Sequence, residues 1–434
     1  MAHSGSSSPP PNVDAEIAVV GAGIIGIACA SVLSQQGWQV LVIDKQRPGL
    51  GTSFGNAGHM ATEQVFPIAD TSILTRLPSM LLDPMGPLRL DWRYLPKALP
   101  WFTKLLLNLR QAPYQASTAG IRALNQSSLP AWHRLLDSIN GRALLKEDGS
   151  FLIYENEASA PEIKALQSRM NAQDVAADHW QGDAIRKFAP QLSNSIQGGL
   201  FFPDTAHVVD PLQVSNALVM DAQRHGVRFI QEEVLSGTAN SEGVTLRTAQ
   251  TEAIRADKVL IACGAHSRKL TASLTGNKVP LDTERGYHLM LPNEKARLPV
   301  AITSLERRFI MTPMEEGLRL AGTVEFAGLE QPPNMERAWK LHQLSQGLFC
   351  SDLDMTEASP WMGFRPSLPD SLPIIDCVND GKVLLAFGHH HLGLTQAAVT
   401  AEIIANLARQ GEITANTSNP LPDAFPYRLS RFTS

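Results

Sequence analysis

Short apolar runs mark the buried strands that this chain is predicted to form. Residues 17–20, 40–43, 258–263 and 383–387 are almost entirely apolar. Such runs, without alternating polar positions, are typical of parallel strands that are buried on both faces. Small and apolar residues at helical spacing follow the first run, and a helix from about Thr395 to Ala408 is predicted after the last. The pattern therefore predicts an α/β fold with strand–helix units near both ends of the chain.

Mixed patterns between these runs predict further elements. A helix begins at Asp210 and Pro211 and ends near His225, because aspartate can cap the first N–H groups and proline suits the first helical position. Other helices are predicted at 121–140, 159–171 and 335–350. Other strands are predicted at 149–154, 198–203, 227–230 with 233–234, 285–291, 309–312 and 318–323, and a pair of strands is predicted within 243–255.

Glycines after the first strand follow the pattern G-x-G-x-x-G. Gly21 allows a tight turn, Gly23 lets the backbone approach a pyrophosphate, and Gly26 lets helix and strand pack closely. The helix that follows presents its first N–H groups to phosphates. Asp44 ends the second strand, 18 residues after Gly26, and can accept hydrogen bonds from ribose hydroxyls. Strand, glycines, helix and acid thus occur in the order that a dinucleotide site requires.

Composition excludes several classes of protein. A chain of 434 residues is long for one hydrophobic core, so two domains are expected. A hydrophobic content of 44% and a charged content of 18% suit a globular enzyme. The net charge of −5, without a concentrated basic run, argues against nucleic-acid binding. No apolar run is long enough to span a bilayer, so any membrane contact is expected to be peripheral.

The cysteines and the N-terminal residues indicate the cellular compartment of the protein. Cys29, Cys263, Cys350 and Cys377 are scattered, which is typical of reduced thiols in a cytoplasmic protein. Residues 1–14, rich in serine and proline, are predicted to be a disordered tail rather than a signal peptide.

Residues 98–109 form an amphipathic helical pattern that allows two interpretations. The favoured one is a helix that covers the substrate side of the protein and packs against its core. A role at a membrane surface is the weaker alternative, because the segment has few basic residues.

Six groups of residues, in this order, carry a family resemblance: VVGAGIIG with VLVID, TSFGNAGHM, ADKVLIACGAHS, GYHLML, WMGFRPSLPDSLPIID, and FGHHHLGLTQAAVTAEIIANL. Together they resemble the D-amino-acid oxidase superfamily of flavoenzymes, and especially the bacterial D-amino-acid dehydrogenases, including those that act on D-hydroxyproline. The resemblance extends over nearly the whole chain after Ala15. It implies FAD as cofactor, bound where a Rossmann-like domain meets a sheet-based α+β substrate domain.

The two domains are expected to be interleaved, because cofactor-type segments occur at the beginning, middle and end of the chain. The FAD-binding domain is predicted to comprise 15–66, 204–272 and 357–415. The substrate-binding domain is predicted to comprise 67–203 and 273–356, followed by a C-terminal tail at 416–434.

The resemblance also implies which residues bind FAD. The ADP half would contact Gly21, Ala22, Gly23, Ile24, Ile25, Gly26, Asp44, Lys45 and, through its backbone, Val234. The pyrophosphate and isoalloxazine would contact Thr52, Ser53, Asn56, Ala57, Gly58 and Gly264. The flavin N1–C2=O edge would meet Gly388, His391, Leu392, Gly393, Leu394 and Thr395, because a helix N-terminus stabilises the negative charge of the reduced flavin.

Arg365, in the sequence GFRP, matches the family's arginine for the substrate carboxylate. Two parallel N–H bonds from a guanidinium would hold both carboxylate oxygens; the alternative is a surface arginine on a proline-rich loop. Tyr287 and His288 lie on a strand expected to cross the flavin, and they should point to opposite faces. Both are candidates for substrate binding, Tyr287 also for catalysis. Arg285 and Glu325 are weaker candidates.

His59 ends the predicted flavin-facing loop and could accept the amine proton or contact the substrate. The alternative is a histidine that is merely hydrogen-bonded beside the cofactor. His389, His390 and His391 are consecutive, so their side chains should point in different directions, and no metal site is predicted. One of them, with His390 as the candidate, is expected to border the substrate site.

The resemblance implies that a D-amino acid, or a cyclic imino acid such as D-proline or D-hydroxyproline, passes a hydride from Cα to flavin N5. Electrons would then reach a quinone or another respiratory acceptor, which allows peripheral contact with the inner membrane. The main alternative is an oxidase of glycine, sarcosine or another secondary amino acid that produces hydrogen peroxide. A flavoprotein electron-transfer subunit and an NAD-dependent dehydrogenase are further alternatives. No oligomeric state is predicted.

Overall fold

The computed structural model describes residues 14–70, 85–86, 88–251, 253–411 and 421–432. Helices in these ranges are Ile24–Gln35 (α1), Leu95–Asn108 (α2), Gln111–Ser138 (α3), Ala160–Asn171 (α4), Gly182–Phe188 (α5), Pro211–Arg224 (α6), Ser267–Thr275 (α7), Glu336–Ser345 (α8) and Gly393–Gln410 (α9). The predicted N-terminal tail, apart from Asp14, lies outside the described residues. No helix in the described ranges is long and apolar enough to cross a membrane.

The strands are numbered in chain order. They are Ala15–Val20 (β1), Val40–Asp44 (β2), His59–Met60 (β3), Leu88–Leu90 (β4), Leu145–Lys146 (β5), Ser150–Tyr154 (β6), Asp178–Gln181 (β7), Gly198–Phe202 (β8), Ala206–Val208 (β9), Arg228–Gln231 (β10), Val234–Asn240 (β11), Gly243–Thr248 (β12), Ile254–Ile261 (β13), Asp282–Leu291 (β14), Ala301–Ser304 (β15), Phe309–Met314 (β16), Gly317–Phe326 (β17), Ser359–Ser367 (β18), Ile374–Val378 (β19) and Val383–Phe387 (β20).

The first sheet is built around the apolar runs. Its order is β10-β2-β1-β13-β12-β11, and β20 also pairs with β13 and with β19. Strands β10, β2, β1, β13 and β20 are parallel, with Val19 level with Val42 and Leu260. The side chains of β1, β2 and β20 are almost all buried, whereas those of the edge strand β10 are exposed or half-buried. Helices α1 and α9 contribute to the core on one face. The mixed α/β fold expected from the sequence is therefore confirmed.

The second sheet is mixed and lies mainly in the middle of the chain. Its order is β18-β14-β17-β16-β15-β6-β8-β7, with β4 on β17. Most pairs are antiparallel, but β15 and β6 are parallel. Strand β18 belongs to this sheet, although residues 357–415 were predicted to form part of the FAD-binding domain. The pairing places Arg365 of β18 beside Glu284 of β14.

Two helices differ in length from the sequence prediction. Helix α3 begins at Gln111 rather than near residue 121, since Pro113 lies in its first turn, where a missing N–H costs nothing. Helix α8 ends at Ser345 rather than at 350, because Gln346 is extended and Gly347 adopts a positive φ of 78°. The helix predicted after Asp210 begins as expected, with the Leu212 N–H donating to the Asp210 side chain at 2.6 Å.

Helix α3 packs against two segments near the C-terminus of the chain. Its Trp132 indole N–H donates to the carbonyls of Leu394 and Thr395, at 3.0 and 3.1 Å. The fully buried Tyr427, within the predicted C-terminal tail, donates its hydroxyl to the Gly120 carbonyl at 2.7 Å. Residues 421–432 are thus packed on the protein, and residues 412–420 and 433–434 lie outside the described residues.

Candidate active site

The glycine turn after β1 brings strand, turn and helix into close contact. Gly21 has a φ of 109°, and a Cβ there would lie 2.4 Å from the Ala262 carbonyl oxygen. A Cβ on Gly26 would lie 1.9 Å from the Gly21 carbonyl oxygen. The first helical bond of this region joins the Ile27 N–H to the Gly23 carbonyl at 2.9 Å. Of the earlier N–H groups, those of Ala22 and Ile24 donate to side chains, whereas those of Ile25 and Gly26 have no acceptor within the helix and can bind an anion.

Asp44 is held beside this turn by two backbone N–H groups. Ala22 donates to its Oδ2 at 2.7 Å and Gln46 to its Oδ1 at 2.8 Å. Each carboxylate oxygen keeps a second lone pair, so ribose hydroxyls can still donate to it. Lys45 follows directly, and its carbonyl accepts a hydrogen bond from Gln231 at 3.3 Å. Asp44 therefore lies beside the glycine turn, and its predicted contact with the ribose stays a prediction.

Val234, predicted to meet the adenine, and Gly264, predicted to lie beside the flavin, border the same sheet. Val234 begins β11, next to a bulge in its pairing with β12. Gly264 has a φ of 53°, and no atom lies within 4 Å of the place a Cβ would occupy. The edge of the sheet beside β13 thus has open space at a glycine, as a cofactor cradle requires.

Residues 52–58 form a loop that is fixed between the two sheets. The Ser53 hydroxyl accepts the Ile24 N–H at 2.9 Å, and the Thr52 hydroxyl donates to the Phe364 carbonyl at 3.1 Å. Asn56 accepts the Gly58 N–H at 2.8 Å, next to Ala57. The predicted loop therefore contacts both α1 and β18.

Buried Arg319 of β17 holds the loop from the opposite side. Its guanidinium donates to the carbonyls of Phe54 and Asn56, at 3.1 and 2.6 Å. Burial lowers the pKa of Arg319 to about 10, so the side chain stays charged at neutral pH. Sequence reasoning missed Arg319, because a single arginine within an apolar strand does not indicate its partners.

The N-terminus of α9 supplies a second set of free N–H groups. Gly393, Leu394 and Thr395 form its first turn, and the first helical bond joins the Gln396 N–H to the Leu392 carbonyl at 2.9 Å. Gly388 precedes them with a φ of 88°. A dinucleotide cofactor such as FAD fits this arrangement, which offers two helix N-termini, the carboxylate of Asp44 and open space at Gly264.

Arg365 lies on β18 and reaches across Gly286 of β14. A Cβ on Gly286 would be 2.6 Å from the guanidinium carbon, so glycine makes room for this side chain. Within the described part of the chain, the Arg365 guanidinium has no hydrogen-bond or ion-pair partner. Burial lowers its pKa, an effect that the nearby Glu284 carboxylate opposes. A half-buried guanidinium without a partner is suited to an anionic ligand.

His390 contacts protein groups through both ring nitrogens. Nε2 accepts the Leu368 N–H at 3.1 Å, and Nδ1 lies 3.1 Å from the Ser367 hydroxyl and 3.6 Å from Glu284. Burial by itself would raise the pKa of Glu284, but His390, Ser367 and Arg365 together lower it to about 2. His390 therefore positions a carboxylate next to Arg365, and it has no ring nitrogen left for a substrate.

Tyr287 and His288 point to opposite faces of β14. The Tyr287 hydroxyl donates to Glu325 at 2.6 Å, and the ring packs near Arg337 on the face that α8 covers. Arg285 lies on the same face and donates to four carbonyls, those of Ala327, Gly328, Gln331 and Pro332. Tyr287, Arg285 and Glu325 thus form a buried network directed away from the 52–58 loop.

His288 faces the cofactor loop instead. Its Nδ1 lies 3.0 Å from the Gly55 carbonyl, and its ring stacks on Trp361 at 5.0 Å. A Cβ on Gly55 would be 2.1 Å from the Trp361 ring. Burial and the charge of Arg319 lower the pKa of His288 to about 3, so the ring is neutral. This stack closes the loop against β18.

His59 and Glu63 form a buried pair at the end of the loop. His59 Nε2 lies 3.0 Å from Glu63 Oε1. Within the described residues, His59 Nδ1 and Glu63 Oε2 have no hydrogen-bond partner. Burial and the proximity of His59 lower the pKa of the neighbouring His207 to about 4. The His-x-x-x-Glu spacing was visible in the sequence, but the segment has no helical pattern that would bring the two together.

The three consecutive histidines have separate partners. His389 Nε2 lies 3.1 Å from the Thr400 hydroxyl, and His391 Nε2 lies 2.5 Å from Gln64 Oε1. Burial and the charge of Arg365 lower the pKa of His391 to about 4. Within the described ranges, no group of three or more histidine, cysteine or acidic side chains could hold a metal ion.

We expect Gly26→Ala to abolish cofactor binding, because the added Cβ cannot fit beside the Gly21 carbonyl. Gly51→Ala is the matched control, since its Cβ would meet only the Gln46 side chain, at 3.7 Å. The ratio of absorbance near 450 nm to that at 280 nm in the purified proteins measures flavin content. A fully loaded Gly26→Ala protein would contradict the proposed contact.

Comparisons with known proteins agree with this architecture. Residues 16–407 match the DAO family, described as FAD dependent oxidoreductase. A D-amino-acid oxidase of Bradyrhizobium diazoefficiens is 32% identical over 92% of this chain and 96% of its own length. A D-amino acid dehydrogenase of Vibrio vulnificus is 26% identical over 90% and 94%. Glycine oxidase from Geobacillus kaustophilus has a similar fold, with a TM-score of 0.70, 19% identity and coverage of 94% and 98%. The chain therefore belongs to the DAO family of FAD-dependent oxidoreductases.

Proposed function

We propose that this enzyme dehydrogenates a D-amino acid, or a cyclic imino acid such as D-proline or D-hydroxyproline, and passes the electrons to a quinone or another respiratory acceptor. The observation that carries the proposal is the Arg365 guanidinium beside the 52–58 loop, which has no partner among the residues that the structure describes. The names of the two relatives support a D-amino acid as substrate.

Arg365 would bind the substrate carboxylate through two parallel N–H bonds. Glu284, kept ionised by Ser367 and His390, lies on the neighbouring strand. The negative charge of Glu284 partly balances the positive charge of Arg365, and it disfavours the binding of any anion besides the substrate carboxylate. The carboxylate of the substrate would thereby fix the direction of the Cα–H bond. Bound FAD supplies the hydride acceptor, at flavin N5.

His59 would accept the proton that the substrate amine must lose. Its imidazole is buried, and Glu63 can orient the ring. The loop that carries both residues is fixed by Asn125, which donates to the carbonyls of Ala61 and Gln64, at 3.2 and 3.1 Å. Asn125 is in turn held by Gln396 of α9 at 2.9 Å.

Arg365→Ala should weaken carboxylate binding without removing the cofactor. Loss of one partner of a buried charged pair costs about 2–5 kcal/mol, which corresponds to a Kd increase of roughly 30-fold or more. Titration of the flavin spectrum with a non-reacting carboxylate measures this Kd. Arg142→Ala, which removes a half-exposed surface arginine, serves as the control. Unchanged affinity in Arg365→Ala would remove the carboxylate site from this position.

His59→Gln should slow anaerobic flavin reduction by about 100-fold or more at saturating substrate, because a positioned base contributes that much. Glu63→Gln should have a smaller effect in the same direction. His133→Gln is the matched control, because His133 forms a similar pair with Glu147 at 2.7 Å on the surface. Stopped-flow absorbance gives the limiting rates. A His59→Gln enzyme as fast as the His133→Gln enzyme would show that His59 is not the base.

An oxidase that reduces oxygen to hydrogen peroxide is the second candidate, supported by the name of the Bradyrhizobium relative. The reoxidation of reduced enzyme separates the two candidates. We expect slow reoxidation of dithionite-reduced enzyme in air and rapid reoxidation by a soluble quinone. Rapid reaction with air would favour the oxidase.

A quinone acceptor resides in the membrane. We therefore place the enzyme in the cytoplasm, in peripheral contact with the inner membrane. The amphipathic segment at 98–109 is a candidate for this membrane contact.

A further inference from the structure

Helix α2 and the residues just before it expose an unusual number of large apolar side chains. Trp92, Leu99, Leu106 and Leu107 are 67%, 58%, 44% and 50% exposed. They are four of the eleven large apolar residues that are exposed in the described ranges, and they lie within 16 residues of one another. We call this set, with its neighbouring cations, the α2 face. An exposed apolar cluster of this kind marks an interaction surface.

The opposite side of α2 is anchored, so these leucines cannot rotate inwards. Ala98, Trp101 and Leu105 are buried, and the Trp101 ring lies 5.4 Å from that of Phe326. The Trp101 indole N–H donates to the Ser367 carbonyl at 3.2 Å. The helix is amphipathic with respect to the protein core, yet it keeps a second apolar stripe on its outer side.

The α2 face is also positively charged. No aspartate or glutamate occurs from Trp92 to Leu136, although the whole chain has a net charge of −5. The lysines and arginines of this stretch are Arg93, Lys97, Lys104, Arg110, Arg122 and Arg134. Of these, the first four are exposed on or next to α2. Lys97 has a carboxylate nearby, Glu330 at 3.9 Å, but both side chains are largely exposed and therefore interact weakly.

We propose that the α2 face docks on a membrane surface that contains anionic lipid. Apolar side chains with flanking cations, on a helix too short to span a bilayer, suit a helix that lies in the interface, with leucine and tryptophan at the acyl boundary and lysine at the headgroups. A second copy of this chain fits less well, because a two-fold interface would place the same cations against each other. Nucleic acid would leave the leucines without apolar partners.

The α2 face is close to the candidate active site. Ser367, whose carbonyl receives the Trp101 bond, lies two residues after Arg365 on β18. Docking through α2 would thus bring the substrate-binding edge of the second sheet near the membrane. The inference deepens the proposed function, since it names the surface through which the enzyme would reach a membrane-resident acceptor.

Flotation of the holoenzyme with lipid vesicles tests the inference. We expect binding to vesicles of phosphatidylcholine with phosphatidylglycerol, weak binding to phosphatidylcholine alone, and release by salt. No binding to the anionic vesicles, or equal binding to both kinds, would overturn the proposal.

Substitutions on α2 test whether this helix forms the surface that binds the membrane. Leu106→Glu combined with Leu107→Glu should reduce vesicle partitioning at least about tenfold, because the change removes apolar contact and adds negative charge. Met220→Glu and Leu235→Glu, at residues that are 62% and 49% exposed elsewhere, are matched controls. Equal loss in the controls, or no loss in the α2 variant, would exclude α2. A change in oligomeric state by sedimentation velocity, without loss of vesicle binding, would identify a self-association surface instead and would also overturn the proposal.

Amino-acid oxidation with a soluble dye as acceptor separates this inference from the proposed function. The double α2 variant should keep its flavin and its rate with the dye. If the wild-type enzyme binds anionic vesicles but oxidises no amino acid, membrane docking through the α2 face is supported and the proposed substrate is contradicted.

Discussion

The loop from Thr52 to Gln64 depends on side-chain donors, because it runs between two sheets and its carbonyls need hydrogen-bond partners away from water. Arg319 satisfies the carbonyls of Phe54 and Asn56, and Asn125 satisfies those of Ala61 and Gln64. These donors come from β17 and α3, which are far apart in the sequence. The loop therefore takes up its conformation only when both sheets and α3 are in place.

The electrostatics of the site follow from the same burial. His288 and His391 are kept neutral by burial, and Glu284 stays ionised because Ser367 and His390 hydrogen-bond to it. Arg365 and Glu284 thus remain as opposite charges on adjacent strands. In the proposed function, Arg365 would bind the carboxylate of the substrate and His59 would accept the proton of its amine.

Local sequence patterns were sufficient for the parts of the fold that depend on local interactions. The Asp210 cap occupies the expected position because capping involves residues close in sequence. Asp44 lies beside the glycine turn because a single strand–helix–strand unit brings the ends of β1 and β2 together. The orientation of Tyr287 towards Glu325, and the pairing of β18 with β14, depend on contacts between distant segments. Glu63 was not predicted either, because the segment that carries it and His59 has no helical pattern that would bring the two side chains together. The exposed stripe on α2 could not be predicted either, because an amphipathic pattern does not tell how much of the helix its neighbours cover.

The measurement that tests the central claim most directly is anaerobic mixing of the oxidised enzyme with D- and L-amino acids, including the isomers of proline and hydroxyproline. The account predicts that at least one D-isomer bleaches the flavin absorbance rapidly, whereas its L-isomer does not. Bleaching by dithionite but by no amino acid would contradict the assignment of Arg365 and His59 to an amino-acid site. Only the assignment of the chain to an FAD-binding fold would then remain.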